Sequence, residues 1–451
     1  MAITSATYDP AATAAALAEK YVAGQQQALA TRTERASATE KGLNSLRSAL
    51  STFQGALAGL TGTNKTMYAQ SAVFNDTAIG TATAKSTAAA GTYAFYVEKL
   101  ASASQVSYSL NENSGVSGPL VVKVGFASIN INTTTANTDG GTLSPREIAA
   151  AINASSENSS LVTASVITTA AGKYELVLTA KNTGANSEVS IQYGAGPSPA
   201  APFDTRKILV PAQDAVIRIG SATGTQITQP TNIFNGIDGV TVTFTKTTTS
   251  PVTLTVGADT GATNANVQAF VDAYNKLKGT VDALVASGDP SKGVAGGAFA
   301  GDSGVGALRD RLVSLLRPTG SDSLAAYGIT ANRQGTLSLD TGRLNKALAA
   351  KPTGLDALIG SMSGTTPTGL AAKLDTYLKG WTSTTNGQLK TRQEAVSKLQ
   401  AETATRQEML DKQYDVAYQR YLIQFTQLQA LQGQMSSNSS IFDAMFSSNK
   451  D

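Results

Sequence analysis

Two kinds of short motif in this sequence carry the residue types of protease active sites. The first, Gly301-Asp302-Ser303-Gly304, resembles the loop that holds the nucleophile of serine proteases, where a histidine takes the proton of the serine hydroxyl. The chain of 451 residues contains no histidine, so Ser303 has no general base of that kind. Since a tetrapeptide like this recurs by chance, we interpret it as an ordinary glycine-containing loop.

The second motif is the triplet Asp-Thr-Gly, which begins at Asp259 and again at Asp340. Aspartic proteases use two such loops, whose carboxylates share one proton. Here each triplet directly precedes a predicted helix, and the surrounding sequences differ, with no sign of duplicated lobes. A helix N-cap role explains both aspartates. We therefore predict a non-enzymatic protein with no catalytic residue, no cofactor and no metal site.

Composition excludes several further classes of protein. The absence of cysteine removes disulfides and thiolate metal sites together. With 35 basic and 32 acidic residues, the net charge of +3 does not indicate a nucleic-acid or membrane-surface partner. No run of about eighteen apolar residues is present, which argues against a transmembrane helix. The first twenty residues lack a basic segment followed by an apolar core, so we expect no cleaved secretion signal.

The elements that organise the chain are predicted at its two ends. Near the start, apolar residues recur at sevens: Val22, Leu29, Ala36, Leu43, Leu50 and Leu57, with Leu46, Phe53 and Leu60 three residues after the last three. Near the end, one row holds Leu389, Val396, Leu410, Ala417 and Leu431, and a neighbouring row holds Tyr414, Tyr421, Leu428 and Met435. This spacing predicts two long helices with narrow apolar seams, which bury those seams against each other.

The seam of the first helix has only one apolar row before Leu43. The positions three residues after its first members are polar, namely Gln25, Arg32 and Thr39. We expect this outer part to be disordered, or helical only on assembly with other chains.

Between the predicted helices the pattern changes to the alternation of β-strands. Strands are expected around Phe95, around Tyr108 and onward, with one helix that starts from a capping box at Ser144. The last two strands, residues 240–244 and 252–256, are predicted to form a hairpin-like pair. The fold class is thus α+β and multidomain: the terminal helices form a coiled-coil-like stalk, and mainly-β head domains are inserted between them.

Five stretches of this sequence resemble the family of flagellar hook-associated protein 2, the cap protein of the bacterial flagellar filament. They are residues 91–101, 232–242, 254–274, 327–348 and 421–446. The resemblance implies a homo-oligomeric ring, a pentamer, that forms a plate at the filament tip. It further implies flagellin, the hook-filament junction protein and an export chaperone on the C-terminal helix as partners. The chain would leave the cell through the flagellar type III export channel.

The predicted domains follow from the change of pattern and from this resemblance. They are an N-terminal segment (1–42), a helical stalk (43–75 with 262–432), an inner β head (76–115 with 203–261), an outer β-rich head (116–202) and a flexible C-terminal tail (433–451).

Two sets of apolar residues are predicted to make contacts. The stalk set, assigned to packing of the stalk, to other copies and to flagellin, is Leu43, Leu46, Leu50, Phe53, Leu57, Leu410, Tyr414, Tyr421, Phe425, Leu428 and Leu431. The tail set is Ile441, Phe442, Met445 and Phe446. Two alternatives stay open: another axial flagellar component, such as a junction protein or filament subunit, and a surface adhesin that binds host glycans through the head, instead of capping or in addition to it.

Overall fold

The computed structural model of the chain describes residues 9–137, 140, 142–194, 200–317, 323–362 and 367–447, with the side chains of residues 446 and 447 outside the description. The chain divides into two compact units. We call Met1–Met67 with Asn264–Asp451 the helical unit, and Tyr68–Thr263 the β unit. In sequence, the β unit is inserted between the two parts of the helical unit.

Nine α-helices form within the described residues. They are α1 (Pro10–Thr61), α2 (Thr133–Ala136), α3 (Pro145–Ala154), α4 (Thr260–Val285), α5 (Ser303–Leu315), α6 (Thr341–Ala350), α7 (Gly354–Ile359), α8 (Gly369–Thr382) and α9 (Gln388–Ser447). No described helix has both the length and the apolar character needed to cross a lipid bilayer.

The strands of the described chain are β1 (Gln70–Phe74), β2 (Gly80–Ala84), β3 (Gly91–Lys99), β4 (Gln105–Asn111), β5 (Leu120–Val124), β6 (Ala127–Ile131), β7 (Val162–Ala170), β8 (Lys173–Ala180), β9 (Val189–Tyr193), β10 (Arg206–Val210), β11 (Ala215–Ile219), β12 (Thr225–Gln229), β13 (Ile233–Ile237), β14 (Val240–Phe244), β15 (Val252–Ala258), β16 (Ile329–Ala331) and β17 (Leu337–Leu339).

The helical unit is built around α1 and α9, which pack against each other along much of their length. Asp9 caps α1 by accepting the main-chain N–H of Ala11 at 2.9 Å, and Pro10 occupies the first turn, where its missing N–H costs nothing. The predicted pairing of the two chain ends is confirmed. In the same unit β16 and β17 form a short antiparallel pair.

The β unit contains two hydrophobic cores. An eight-stranded antiparallel sheet, in the order β12-β11-β3-β15-β1-β2-β14-β13, buries Phe95, Val97 and their neighbours in one core. A four-stranded sheet (β10-β4-β8-β7) and a three-stranded sheet (β6-β5-β9) enclose the other core together with α3. The capping box that starts α3 is confirmed: Ser144 Oγ accepts the N–H of Glu147, whose carboxylate accepts the N–H of Ser144.

The strand pairing corrects one prediction. The strands predicted as a hairpin-like pair, β14 and β15, are both buried but do not pair: β14 lies between β2 and β13, whereas β15 lies between β1 and β3. Their alternating pattern reports which face of each strand is buried, and it carries no information about which strand lies alongside.

Three predicted boundaries also differ from the structure. Residues 70–74, assigned to the stalk, form β1 and pair with β15 in the β unit. The predicted outer head, 116–202, is too short at both ends, because β4 and β10 belong to the four-stranded sheet around the second core. These strands complete the sheet by pairing with β8 and with each other, over separations that a local sequence pattern does not reveal.

The terminal segments are more helical than predicted. α1 runs unbroken from Pro10, through the segment expected to order only on assembly, while residues 1–8 lie outside the description. α9 continues to Ser447, through most of the segment predicted as a flexible tail. The single glycine there, Gly433, costs about 1 kcal/mol in a helix, which sixty residues of continuous helix tolerate.

Candidate interaction surface on the terminal helices

The α1–α9 pair is antiparallel and joined by a narrow seam. Val22 and Leu29 of α1 form a small buried cluster with Leu410 of α9, and Tyr414 packs against it. Farther along the pair, the Gln400 amide donates to the carboxylate of Glu40 at 2.7 Å. Residue numbers thus rise on one helix as they fall on the other.

The seam of α9 keeps strict seven-residue spacing over part of its length only. The buried positions are Leu389, Val396, Thr403, Leu410 and Ala417. The next apolar residue in this row, Leu431, is 54% exposed. Antiparallel pairing explains the change, because the offset shown by Glu40 and Gln400 places the start of α1 opposite roughly residue 430 of α9. Beyond that point α9 has no helix of its own chain alongside within the described residues.

Five predicted contact residues of α1 lie in the interior of the helical unit. Leu43, Leu46, Leu50, Phe53 and Leu57 are each at most 1% exposed. Within this interior, the Phe53 ring meets the ring of Tyr274 edge-on, at 6.4 Å between centroids. The ring of Phe270, also in α4, lies equally close to Phe53. These side chains stabilise the unit itself, and another chain can reach them only if the unit opens.

The predicted contact residues of α9 divide along the helix. Leu410 is buried, and Tyr414, Tyr421 and Phe425 are half-buried. The farther residues are solvent-exposed: Leu428 43%, Leu431 54%, Ile441 55%, Phe442 60% and Met445 64%. Phe446 lies in the helix, but its side chain is outside the described part of the chain. We call the exposed apolar residues Leu428, Leu431, Met435, Ile441, Phe442 and Met445 the distal apolar surface.

A second exposed apolar row on α9 was missed by the sequence reasoning. Met409, Val416 and Ile423, at intervals of seven, are 51%, 71% and 58% exposed. They lie one residue away from the buried seam, and that same interval was the signal that could have identified them.

The aspartates of the protease-like motifs cap helices in the structure. Asp259, Asp302 and Asp340 each accept a main-chain N–H three residues ahead, at 2.8–2.9 Å, which is N-cap geometry. The N-cap interpretation of the two Asp-Thr-Gly triplets is therefore confirmed, and Ser303 is the first residue of α5. Among the described residues, no three potential ligand side chains are close enough together to hold a metal ion.

Asp302 also anchors α9 electrostatically. Its carboxylate receives two hydrogen bonds from the Arg392 guanidinium, at 2.5 and 3.0 Å, and these bonds are the main reason that the pKa of Asp302 is lowered. The guanidinium in turn lies over the ring of Trp381, 5.9 Å from its centroid. One ion pair thus links the start of α5 to α9, beside the C-terminal end of α8.

The described part of the helical unit therefore has a buried interior, an ion pair that holds the start of α9, and a far end of α9 that presents apolar side chains to solvent. That arrangement is suited to protein–protein contact, and it contains no assembled catalytic group.

Two sequence models, for the two ends of one kind of protein, match this chain. The model for the flagellar hook-associated protein 2 N-terminus matches residues 7–104, and that for its C-terminus matches residues 212–437. The second match alone covers half of the chain.

Individual relatives agree with these matches. The chain is 32% identical to the lateral flagellar hook-associated protein 2 of Vibrio parahaemolyticus over 379 residues, which is 80% of this chain and 83% of the relative. It is 31% identical to the A-type flagellar hook-associated protein 2 of Pseudomonas aeruginosa over 433 residues, 88% of this chain and 87% of the relative.

A solved structure resembles the fold described above. The crystal structure of the D1-D2-D3 domains of the flagellar cap protein FliD from Escherichia coli has a TM-score of 0.61 and 26% sequence identity to this chain. The similarity covers 79% of this chain and 99% of that one. The chain belongs to the flagellar hook-associated protein 2 family, the FliD flagellar cap proteins.

Proposed function

We propose that this chain is one subunit of a homo-oligomeric cap at the tip of the flagellar filament. Such a cap would promote the insertion and folding of exported flagellin and prevent the loss of unassembled subunits. It would act by binding alone, without a catalytic group or a cofactor. Family membership supports this proposal, and so does the surface of α9.

The distal apolar surface is the observation that carries the proposal. Apolar side chains that cluster on a surface mark a contact site for another protein. All of these residues except Leu428 lie beyond the start of α1, so within the described chain no helix covers them. A cap must release and rebind its neighbours as each flagellin is added, and the thin seam between α1 and α9 suits repeated local opening.

We propose the partners on the same grounds. They are other copies of this chain in a ring, taken as a pentamer, then flagellin and the hook-filament junction protein, and before export a chaperone that masks the C-terminal helix. Export would proceed through the flagellar type III channel. We assign the helical unit to contacts with the filament, and the two cores of the β unit to the inner and outer parts of the plate.

The test is complementation of a strain that lacks the gene for this chain. A variant with Ile441, Phe442 and Met445 all replaced by Ser should fold but should fail to restore swimming, and monomeric flagellin should accumulate in the medium. The matched control is Ile233→Ser, an apolar residue of the β unit that is 47% exposed. It should restore swimming.

Negative-stain images of the purified chain supply a second readout. Ring or star particles are expected, and a persistent monomer at high concentration contradicts the proposal. The same deletion strain separates the alternatives. Intact filaments with lost adhesion would favour the adhesin, whereas normal retention of flagellin by the triple-serine variant would exclude the distal apolar surface as the working contact.

A further inference from the structure

A cleft in the helical unit is lined by basic side chains and has no part in the function proposed above. Its volume is about 630 Å³, and its walls come from α4, from the C-terminal end of α5 and from the turn between β16 and β17. None of the residues that line it belongs to α1 or α9. Clefts of this size are in the range that proteins use to bind ligands.

Positive charges outnumber negative charges in this cleft by four to two. The six charged residues that line it are Lys278, Asp282, Arg309, Asp310, Arg317 and Arg333. The whole chain, in contrast, is nearly balanced, with 35 basic and 32 acidic residues. An excess of one sign in a cleft raises the local concentration of ligands of the opposite sign.

Two of the four cations already have a carboxylate partner. The Lys278 ammonium donates to Asp282 at 2.5 Å, and its side chain is only 4% exposed. Arg309 donates through Nε to Asp310 at 2.9 Å.

The other two cations are Arg317 and Arg333, which are exposed and form no ion pair with any residue that the structure describes. The two guanidinium groups come from different elements, the end of α5 and the hairpin turn. Their N–H donors are therefore available to a ligand in the cleft.

The hairpin that carries Arg333 is bonded to α4. The Asn275 side chain donates to the C=O of Leu337 and accepts its N–H, both at 2.8 Å. This amide thus bonds to β17 as the main chain of another strand would. The wall that holds Arg333 is consequently fixed to the wall that holds Lys278.

The turn of the hairpin also packs closely on α5. Gly335 has a φ of +81°, and a Cβ at this position would lie 2.7 Å from a methyl carbon of Val313. Glycine allows both the left-handed conformation and the close approach. Asn332 stabilises the same turn, because its side chain accepts the N–H of Thr336 at 2.9 Å. Folding alone therefore brings the three walls together, before any ligand binds.

We propose that this cleft binds an acidic segment of another protein, whose carboxylates pair with Arg317 and Arg333. A guanidinium group binds a carboxylate through two parallel N–H donors. The half-buried side chains of Val285 and Val313 lie among the charges that line the cleft. A peptide supplies carboxylates at several points and hydrocarbon between them, whereas one phosphate ion engages only a small part of a cleft this large. The proposal does not depend on α9 or on the cap function.

Fluorescence anisotropy with fluorescein-labelled hexaglutamate tests the proposal on the full chain. The peptide should bind saturably at low ionic strength, and labelled hexaglutamine should not bind. Added sodium chloride should weaken the binding, because salt screens the attraction between exposed charges.

Arg317→Ala combined with Arg333→Ala should weaken the binding of hexaglutamate by roughly fivefold or more, since it removes both unpaired guanidinium groups. The matched control combines Arg311→Ala with Arg343→Ala, at two exposed arginines of the same unit that do not line the cleft. It lowers the net charge by the same amount and should leave the affinity within about twofold of the original. All four side chains are exposed, so both variants should keep the original circular dichroism spectrum.

The proposal is overturned if hexaglutamate does not bind. It is also overturned if the control pair weakens binding as much as the cleft pair does, because net charge alone would then attract the peptide. Displacement of the peptide by micromolar inorganic phosphate at constant ionic strength would overturn it as well, since the cleft would then be a phosphate site.

Discussion

The α1–α9 pair should open in stages, and two leucines of α1 allow this to be tested. Leu46 is fully buried in the interior of the helical unit, whereas Leu29 is 7% exposed in the small cluster of the outer seam. Leu46→Ala should lower the free energy of unfolding of the helical unit by about 2–5 kcal/mol, since it removes a buried side chain and leaves a cavity.

Leu29→Ala should act locally instead. This change removes roughly three buried carbon atoms at ~0.8 kcal/mol each, so it lowers the local free energy of opening by about 2 kcal/mol. The outer cluster shares none of its residues with the interior around Leu46, so this part of the pair can open while the interior stays folded. Amide hydrogen exchange in the first half of α1 should therefore become faster by about 30-fold, given roughly 1.4 kcal/mol for each factor of ten.

Trp381 makes the assay specific, because it is the only tryptophan and is buried in α8 of the helical unit. Its fluorescence in urea reports the unfolding of that unit, and exchange measured by mass spectrometry reports the outer helix. Leu428→Ala is the control: the same substitution at a 43% exposed position should change stability by less than about 0.5 kcal/mol. Staged opening is refuted if Leu29→Ala shifts the Trp381 urea midpoint as far as Leu46→Ala does.

Three further outcomes are expected. Asp302→Asn should flatten the pH dependence of the urea midpoint: the lowered pKa of Asp302 stabilises the fold above the unfolded-state pKa of about 3.9, and that contribution is lost as the pH falls through the folded-state pKa. An unchanged acid profile would contradict this. Gly42→Ala should destabilise by about 1–3 kcal/mol, because its Cβ would lie 2.7 Å from a neighbouring side chain; Gly55→Ala, on the same helix with open space around it, should stabilise by roughly 0.5–1 kcal/mol. Phe442→Ala should leave the free energy of unfolding within about 0.5 kcal/mol of the original while reducing cosedimentation with flagellar filaments; retained cosedimentation would remove this residue from the proposed contact.

Much of the helical architecture could be predicted from local pattern. The seven-residue spacing of Val22, Leu29 and Leu43 marks the buried row of α1, because the face that a helix buries repeats with its own geometry. Asp259 and Asp340 start helices through bonds to N–H groups only three residues away. Such features depend on neighbours in sequence, so the sequence contains their whole cause.

The extent of α9 is a different matter. The serine-rich stretch 436–440 has weak helix propensity and lies in the segment 433–451 predicted as a flexible tail, yet the structure continues the helix to Ser447. The helix propensity of serine is less favourable than that of alanine by well under 1 kcal/mol per residue, so a long helix that is already nucleated extends through the stretch. The exposure of the distal apolar surface follows from where α1 begins on the opposite helix, which no local pattern in α9 records.

What the sequence by itself determined is therefore the two terminal helices with their buried rows, several strands between them, and the absence of histidine and cysteine chemistry. Tertiary structure alone decided which strands are neighbours: β14 and β15, adjacent in sequence, lie apart in one sheet. It also decided that the Asn153 and Asn158 amides bond to the main chain of β7. The physical reason is that strand pairing joins main-chain groups that are alike in every residue, so the partner is selected by the packing of the whole sheet.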